Sequence, residues 1–235
     1  SIINEKELND LIKNLNEKLV IAVDTETSSL NPQEAELIGI SISYATNASF
    51  YIPLGHKNTK GLKKNLVLEK LKTILEDPSI KKVCQNTKYD FIIFKNHGVE
   101  LNSVEDTMLL SYTLDAGNNR HNMDTLSEIH LGHKAISYKD LVGTGKKQLN
   151  FSDIDLKSAT EYAAEDADVT LRLYNILSER VTEEKLNKIY EIFEKPMIKI
   201  LSKLETNGIK VDDNYLKKLS KKFEERLIEI EKKIY

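Results

Sequence analysis

Apolar residues recur at helical spacing over residues 5–17, at Leu8, Leu11, Ile12 and Leu15, and predict a short amphipathic helix. The next run is different in kind. Leu19-Val20-Ile21-Ala22-Val23 is unbroken and rich in branched side chains, which predicts a strand buried on both faces and ending at Asp24. Thr27 to Pro32 reads as a turn. From Ile38 to Tyr44 apolar and polar residues alternate, and Ala48 to Pro53 follows after the short polar link Ala45-Thr46-Asn47, so the two segments predict a hairpin. A helix over residues 66–76 is stopped by Asp77-Pro78. Ile80 to Cys84 predicts a fourth strand, and Tyr89 to Asn96 a helix closed by His97-Gly98. Val104 to Asp106 is a short fifth strand, and a helix runs from Thr107 to Leu114. Antiparallel strands come first and strand–helix units follow, an α/β order that fits a mixed sheet with helices on its faces.

Residues 115–150 are richer in Gly, Asn and Lys, interrupted by a short helix over Met123–His130. A long helix covers Ser158–Glu179. From Glu183 the pattern is almost continuously helical, broken at Pro196 and at Asn207 to Asp212. The change predicts a domain over residues 1–182 and a second, helical piece over 183–235. There is no internal repeat.

Composition adds limits. The 235 residues are 40% hydrophobic and 30% charged, as in an ordinary globular protein. A net charge of −3 argues against a module that holds nucleic acid by charge alone. It does not exclude a nuclease, because bound cations invert the field of a carboxylate cluster. The single cysteine, Cys84, lies in an apolar run and reads as a small core residue. One cysteine, no run of about 20 apolar residues and no signal-like N-terminus lead to the expectation of a reducing, cytoplasmic setting without a membrane span.

Three patches carry carboxylates. Asp24-Thr25-Glu26 ends the first strand, and side chains two apart on a strand share a face. Two acids there cannot both remain charged, buried and unpaired, and metal ligation resolves the conflict. Gln85 to Asp90 follows the fourth strand, and Asn86 and Asp90 share one face if a helix starts at Asn86. Asn86 as a cap and Asp90 as a first-turn acid is the plainer reading of that patch alone. In the third patch, Tyr162 and Asp166 share a face of the long helix, while Glu165 and Asp168 point elsewhere and read as solvated. Together Asp24, Glu26, Asp90 and Asp166 can equip a site for two ions about 3.5–4 Å apart, with oxygen ligands that suit Mg²⁺ or Mn²⁺ better than zinc. His121, His130 and His133 show no zinc-ligand spacing and no cysteine joins them.

Asp24-x-Glu26, Asn86-x-x-x-Asp90 and Tyr162-x-x-x-Asp166 resemble, in order, the three motifs of the DEDD exonuclease superfamily. The tyrosine is that of its tyrosine subgroup; the histidine subgroup has its histidine where this chain has Glu161. The wider segments, with Met123 to Glu128 and with Phe193 to Met197 and Leu204 to Asp212, are similar to the proofreading domain of bacterial family A DNA polymerases and the stretch leading into its thumb. The resemblance covers roughly residues 15–235.

It implies a ribonuclease H-like five-stranded sheet and a two-metal 3′-5′ exonuclease that releases nucleoside 5′-monophosphates from DNA. Asp24 would bridge the ions, Glu26 and Asp166 hold one and Asp90 the other, and Tyr162 with Glu26 position the attacking water. By resemblance Leu30 wedges against terminal bases, Tyr138 stacks near the penultimate base, Asn86 bonds the terminal sugar or phosphate, and Lys146 and Lys147 touch phosphates. Leu30 tucked into the core is an equal alternative. The expected partners are a single-stranded or frayed DNA 3′ end and the polymerase domain of a longer parent, whose nucleotide-adding carboxylates are not in this sequence, with a monomeric state. The competing readings are an RNA-trimming DEDD exonuclease, a catalytically inactive scaffold of a polymerase, and a DNA-binding module without chemistry.

Overall fold

The computed structural model describes residues 1–59, 61–145 and 148–235. Five strands, β1 (Val20–Thr27), β2 (Leu37–Ala45), β3 (Ala48–Pro53), β4 (Lys81–Cys84) and β5 (Val104–Asp106), form one sheet in the order β3-β2-β1-β4-β5. The β1–β2 and β2–β3 pairs are antiparallel, and β1–β4 and β4–β5 are parallel. The expected mixed sheet is therefore present, and the acidic strand β1 lies at its centre.

Alternation along β1 assigns its two faces. Ile21 and Val23 join Leu8, Leu11 and Leu15 of α1 (Glu5–Leu15), Leu71 of α2 (Lys64–Leu75) and Phe94 of α3 (Thr87–Asn96) in one core. Ala22 joins the other, with Leu110 of α4 (Thr107–Asp115), Leu126 of α5 (Met123–Leu131) and Val169 and Leu173 of α7 (Leu156–Glu183). Asp24 and Glu26 share the face of Ala22, so they lie on the side that α7 covers.

That helix comes close because the facing surfaces are small. Gly39, Ser41 and Ser43 of β2 stand opposite Glu26, Asp24 and Ala22. Ala159, Ala163 and Ala167 of α7 are fully buried. A Cβ on Gly39 would lie 2.1 Å from the Tyr51 hydroxyl oxygen, so glycine there makes room for the tyrosine ring. Asp155 caps α7 by accepting from the Ser158 amide at 3.0 Å.

Two short elements stand where the sequence shows no periodicity: α6 (Tyr138–Val142) and a 3-10 turn over Phe151–Asp153. With Ile38, Tyr51 and Ala163 they build a third small core through Val142 and Phe151. Farther on come α8 (Asn187–Ile189), a π-turn over Tyr190–Glu194, α9 (Lys195–Asn207) and α10 (Asp213–Ile234). Pro196 lies where the π-turn passes directly into α9, so its missing amide proton interrupts the helical bonding there and goes with the widened turn before it.

The chain forms two compact units, Ser1–Lys203 and Leu204–Tyr235. Residues 183–203 belong to the first because Tyr190 and Ile198 are buried in its cores. In the second, Asp212 caps α10 by accepting from the Tyr215 amide at 2.9 Å. Among the described residues no helix is long and apolar enough to cross a membrane.

Candidate active site

β1 presents Asp24 and Glu26 upward, and α7 brings Asp166 down onto them. One carboxylate oxygen from each of the three lies within 4.8 Å of the others. Glu26 and Asp166 are buried, and Glu26 Oε1 and Asp166 Oδ1 have no hydrogen-bond partner among the described residues. Ser41 Oγ, on the strand residue opposite Asp24, is also buried and unpartnered.

The charge state follows from this crowding. Burial pushes the Asp24 carboxyl up to about 6. Burial raises Glu26 well above the carboxylate range, and repulsion from Asp24, Asp166 and Asp90 raises it further. Asp166 is raised by burial and by Asp24, partly offset by the Tyr162 hydroxyl. Tyr162 itself is pushed up by burial and by Asp166. Mutually repelling carboxyls, two of them with an unpartnered buried oxygen on Glu26 and Asp166, match what divalent cations require of their ligands: hard, anionic and oxygen-only.

Asp90 enters from α3. β4 ends before the level of Thr25, so the Thr25 amide has no strand partner on that side. Asp90 Oδ1 accepts from Thr25 N at 3.0 Å and from Thr25 Oγ1 at 2.6 Å. Burial and then Asp24 raise the Asp90 carboxyl, and the two Thr25 bonds lower it. The threonine between the two β1 acids thus aims the third acid, a role the sequence reading did not give it.

Asn86 does not cap α3 with its side chain. It adopts φ +65°, ψ +53°, its side chain makes no cap bond and is exposed, and the helix starts at Thr87. Asp106 holds this end instead. Its Oδ2 accepts from Thr87 N at 2.9 Å and its Oδ1 from Asn86 N at 3.1 Å, while Oδ1 also caps α4 through Met108 N at 2.9 Å. An aspartate directly before a helix is a readable cap signal; its second duty to α3 is not.

An aromatic wall borders the acids. Phe151, fully buried, stacks parallel to Tyr138 at 6.5 Å between centroids, and Tyr162 lies 5.9 Å from Tyr138 and 6.1 Å from Phe151. Tyr138 keeps an open edge, 39% exposed. The Tyr51 hydroxyl and His56 Nε2 pair at 2.7 Å behind this wall.

Leu30 is 95% exposed, which overturns its placement in the core. Its loop is held: the Tyr89 hydroxyl donates to the Ser29 carbonyl at 2.5 Å, and the Asn31 amide donates to Ser29 Oγ at 3.1 Å. Lys146 and Lys147 lie outside the described residues.

Glu165 and Asp168 are not simply solvated, because two loops cover this side of α7 and offer amides. Glu165 accepts from the Ile136 amide at 2.6 Å and pairs with His133 at 2.8 Å. Asp168, 9% exposed, accepts from the Asn47 amide at 2.6 Å and meets Arg172 at 3.5 Å. Cys84 is fully buried, as expected, and burial pushes its thiol up.

The family model for the 3′-5′ exonuclease of DNA polymerase A matches residues 1–182. DNA polymerase I of Rhizobium leguminosarum is 43% identical over 92% of this chain and 23% of its own length. The chain thus spans about a quarter of the length of the curated relatives it matches. Among solved structures, the POL domain of Pol1 from M. smegmatis, in complex with DNA primer-template and dNTP, superposes with a TM-score of 0.75 at 18% identity, over 97% of this chain and 35% of that one. Escherichia coli RNase D, an exoribonuclease, gives 0.64 at 19% identity, over 86% and 50%. These likenesses establish the fold, which is ribonuclease H-like. Identity of the extent seen with the polymerase I relatives does more: the chain belongs to the 3′-5′ exonuclease domains of DNA polymerase I, and it is a nuclease.

Proposed function

We propose that the chain removes nucleotides from DNA 3′ ends by two-metal hydrolysis and serves as the proofreading domain of a cytoplasmic DNA polymerase. The observation that carries this reading is the convergence of Asp24, Glu26 and Asp166, with an unpartnered buried oxygen on Glu26 and on Asp166. Asp24 would serve both ions, Glu26 and Asp166 one, and Asp90 the other. When bound, the cations supply Lewis acidity, lowering the pKa of a water and compensating charge on the leaving 3′-oxygen.

The chain's own residues do the rest. The Tyr162 hydroxyl, kept protonated at neutral pH, donates to Asp166 and would orient the attacking water by accepting from it, and Glu26 would accept from the same water. Tyr138, backed by Phe151, offers a stacking face, worth about 1–3 kcal/mol per base. Leu30 wedges against the terminal bases from its braced loop, and exposed Asn86 bonds the terminal sugar or phosphate. Residues 183–235, of which 183–203 pack into the nuclease cores, would lead into a polymerase domain that presents the frayed 3′ end.

Digestion of a 5′-labelled single-stranded DNA oligonucleotide with Mg²⁺ or Mn²⁺ tests the reading. A ladder that shortens from the 3′ end, stops with EDTA and disappears in a folded Asp24→Ala variant is the expected result. Unchanged cleavage by that variant overturns the ligand scheme. Cleavage of the matching RNA in preference to DNA overturns the substrate.

A further inference from the structure

Resting on that reading, we infer that Asp106 is a positioning residue: its carboxylate fixes the substrate- and metal-facing start of α3, and the Tyr190 hydroxyl ties it to the helical segment that follows α7. Asn86 directly precedes α3 and Asp90 stands on its first turn, at the edge of the acidic cluster. Asn86 holds a left-handed backbone, which asparagine adopts more readily than most residues, so its conformation alone does not fix the helix start. The group that holds its amide is on a different element. The fully buried Asp106 divides its oxygens between Thr87 N at 2.9 Å on Oδ2 and Asn86 N at 3.1 Å on Oδ1. Thr87 Oγ1 donates to the Glu105 carbonyl at 2.8 Å and completes a three-bond clamp between β5 and α3.

An aspartate that only began α4 would need Met108 N and Leu109 N alone. Asp106 holds those through Oδ1, so Oδ2 is left wholly to α3. Its own amide donates to the Tyr190 hydroxyl at 3.0 Å, and that hydroxyl donates to Glu105 Oε2 at 2.9 Å. Glu105 Oε1 accepts from Lys195 Nζ of α9 at 2.8 Å. A continuous set of bonds therefore runs from α9 to the residue pair that flanks the Asp90 side of the site.

Asp106→Asn replaces one acceptor oxygen by an NH₂ group. The amide keeps its oxygen for the α4 cap and turns a donor toward the Thr87 amide. The test is a Mn²⁺ titration of the 235-residue chain, reading free Mn²⁺ by its electron spin resonance, beside thermal melting. Wild type should bind two ions. Asp106→Asn should keep the ion held by Glu26 and Asp166 and bind the Asp90 ion about tenfold more weakly, with a melting temperature lowered by several degrees. Glu26→Ala should do the reverse. Tyr190→Phe should weaken the Asp90 ion two- to threefold, and it carries the test alone if Asp106→Asn does not fold. Unchanged binding of both ions in folded Asp106→Asn, or in Tyr190→Phe, overturns the inference. Failure of wild type to bind any Mn²⁺ instead overturns the two-metal reading.

Discussion

At the scale of single residues, the site is a place where the fold is held against its own electrostatics. A carboxyl at about 6 rather than 3.8 makes the ionised folded form costly. The difference corresponds to about 3 kcal/mol at neutral pH, and to about 2 kcal/mol once the partial exposure of Asp24 is allowed for. The sign follows from linkage. A raised carboxyl binds its proton more tightly in the folded state, so its stabilising contribution is full below pH 3.8 and lost as pH rises through about 6. Without metal, the wild-type domain should therefore lose stability on going from pH 5 to pH 8 beyond what its other groups impose. Asp24→Asn should flatten that slope and stabilise the metal-free domain at pH 8 by about 2 kcal/mol, while abolishing cleavage. Denaturant melts in EDTA at several pH values measure both; an Asp24→Asn variant less stable than wild type at pH 8 contradicts the account. Asp24 and Glu26 stand out in the sequence because they end an apolar strand, whereas Asp90 and Asp166 lie within helices and stand out only through the ordered set of three motifs. Thr25 and Asp106 do not stand out, because each acts through a backbone amide or carboxyl paired with an element distant in sequence.

At the scale of elements, periodicity carried the large features and failed where none exists. The strands of the hairpin and the long helix α7 announce themselves by spacing, whereas α6 is five residues long and the turn at Phe151 three. Short elements of that size are fixed by burial, here of Val142 and Phe151 against Tyr51 and Ala163. The start of α3 shows a second limit. Sequence puts a capping asparagine there, but the cap is supplied by β5, and Asn86 is freed to face outward. The packing of α7 on the sheet gives a sharper test. Gly39 faces Glu26 across the β1–β2 ladder and touches the ring of fully buried Tyr51. Gly39→Ala forces that ring to move, at a cost of roughly 1–3 kcal/mol for overpacking. In a domain of this size that lowers Tm by about 2–4 °C per kcal/mol. Because Tyr51 also bonds His56 behind the aromatic wall, the cleavage rate should fall with it. Calorimetry and the oligonucleotide assay together check this, and an unaltered Tm would mean that the ring has room to yield.

At the scale of the whole molecule, the end of the nuclease is set by packing rather than by motif. The family match stops at residue 182, yet the compact unit continues to Lys203. The extra residues do specific work on a buried charge. Glu105, 3% exposed, is partnered by the Tyr190 hydroxyl at 2.9 Å and by Lys195 at 2.8 Å, with Lys81 farther off at 3.5 Å. Cutting after residue 182 removes the first two partners and also Tyr190's place in the core around Leu110 and Leu177. Breaking a buried pair from one side costs about 3–5 kcal/mol, and the remaining Lys81 and newly admitted water reduce that to about 2–4 kcal/mol. A chain of residues 1–203 should therefore melt within a few degrees of the full 235 residues, whereas residues 1–182 should be less stable by about 2–4 kcal/mol in urea titrations. The shorter chain should also lose the Tyr190 bond to Asp106 and bind the Asp90 ion more weakly. Equal stability of the two truncations would mean that Glu105 is satisfied without α9, and the link from that helix to the site would then have no energetic weight.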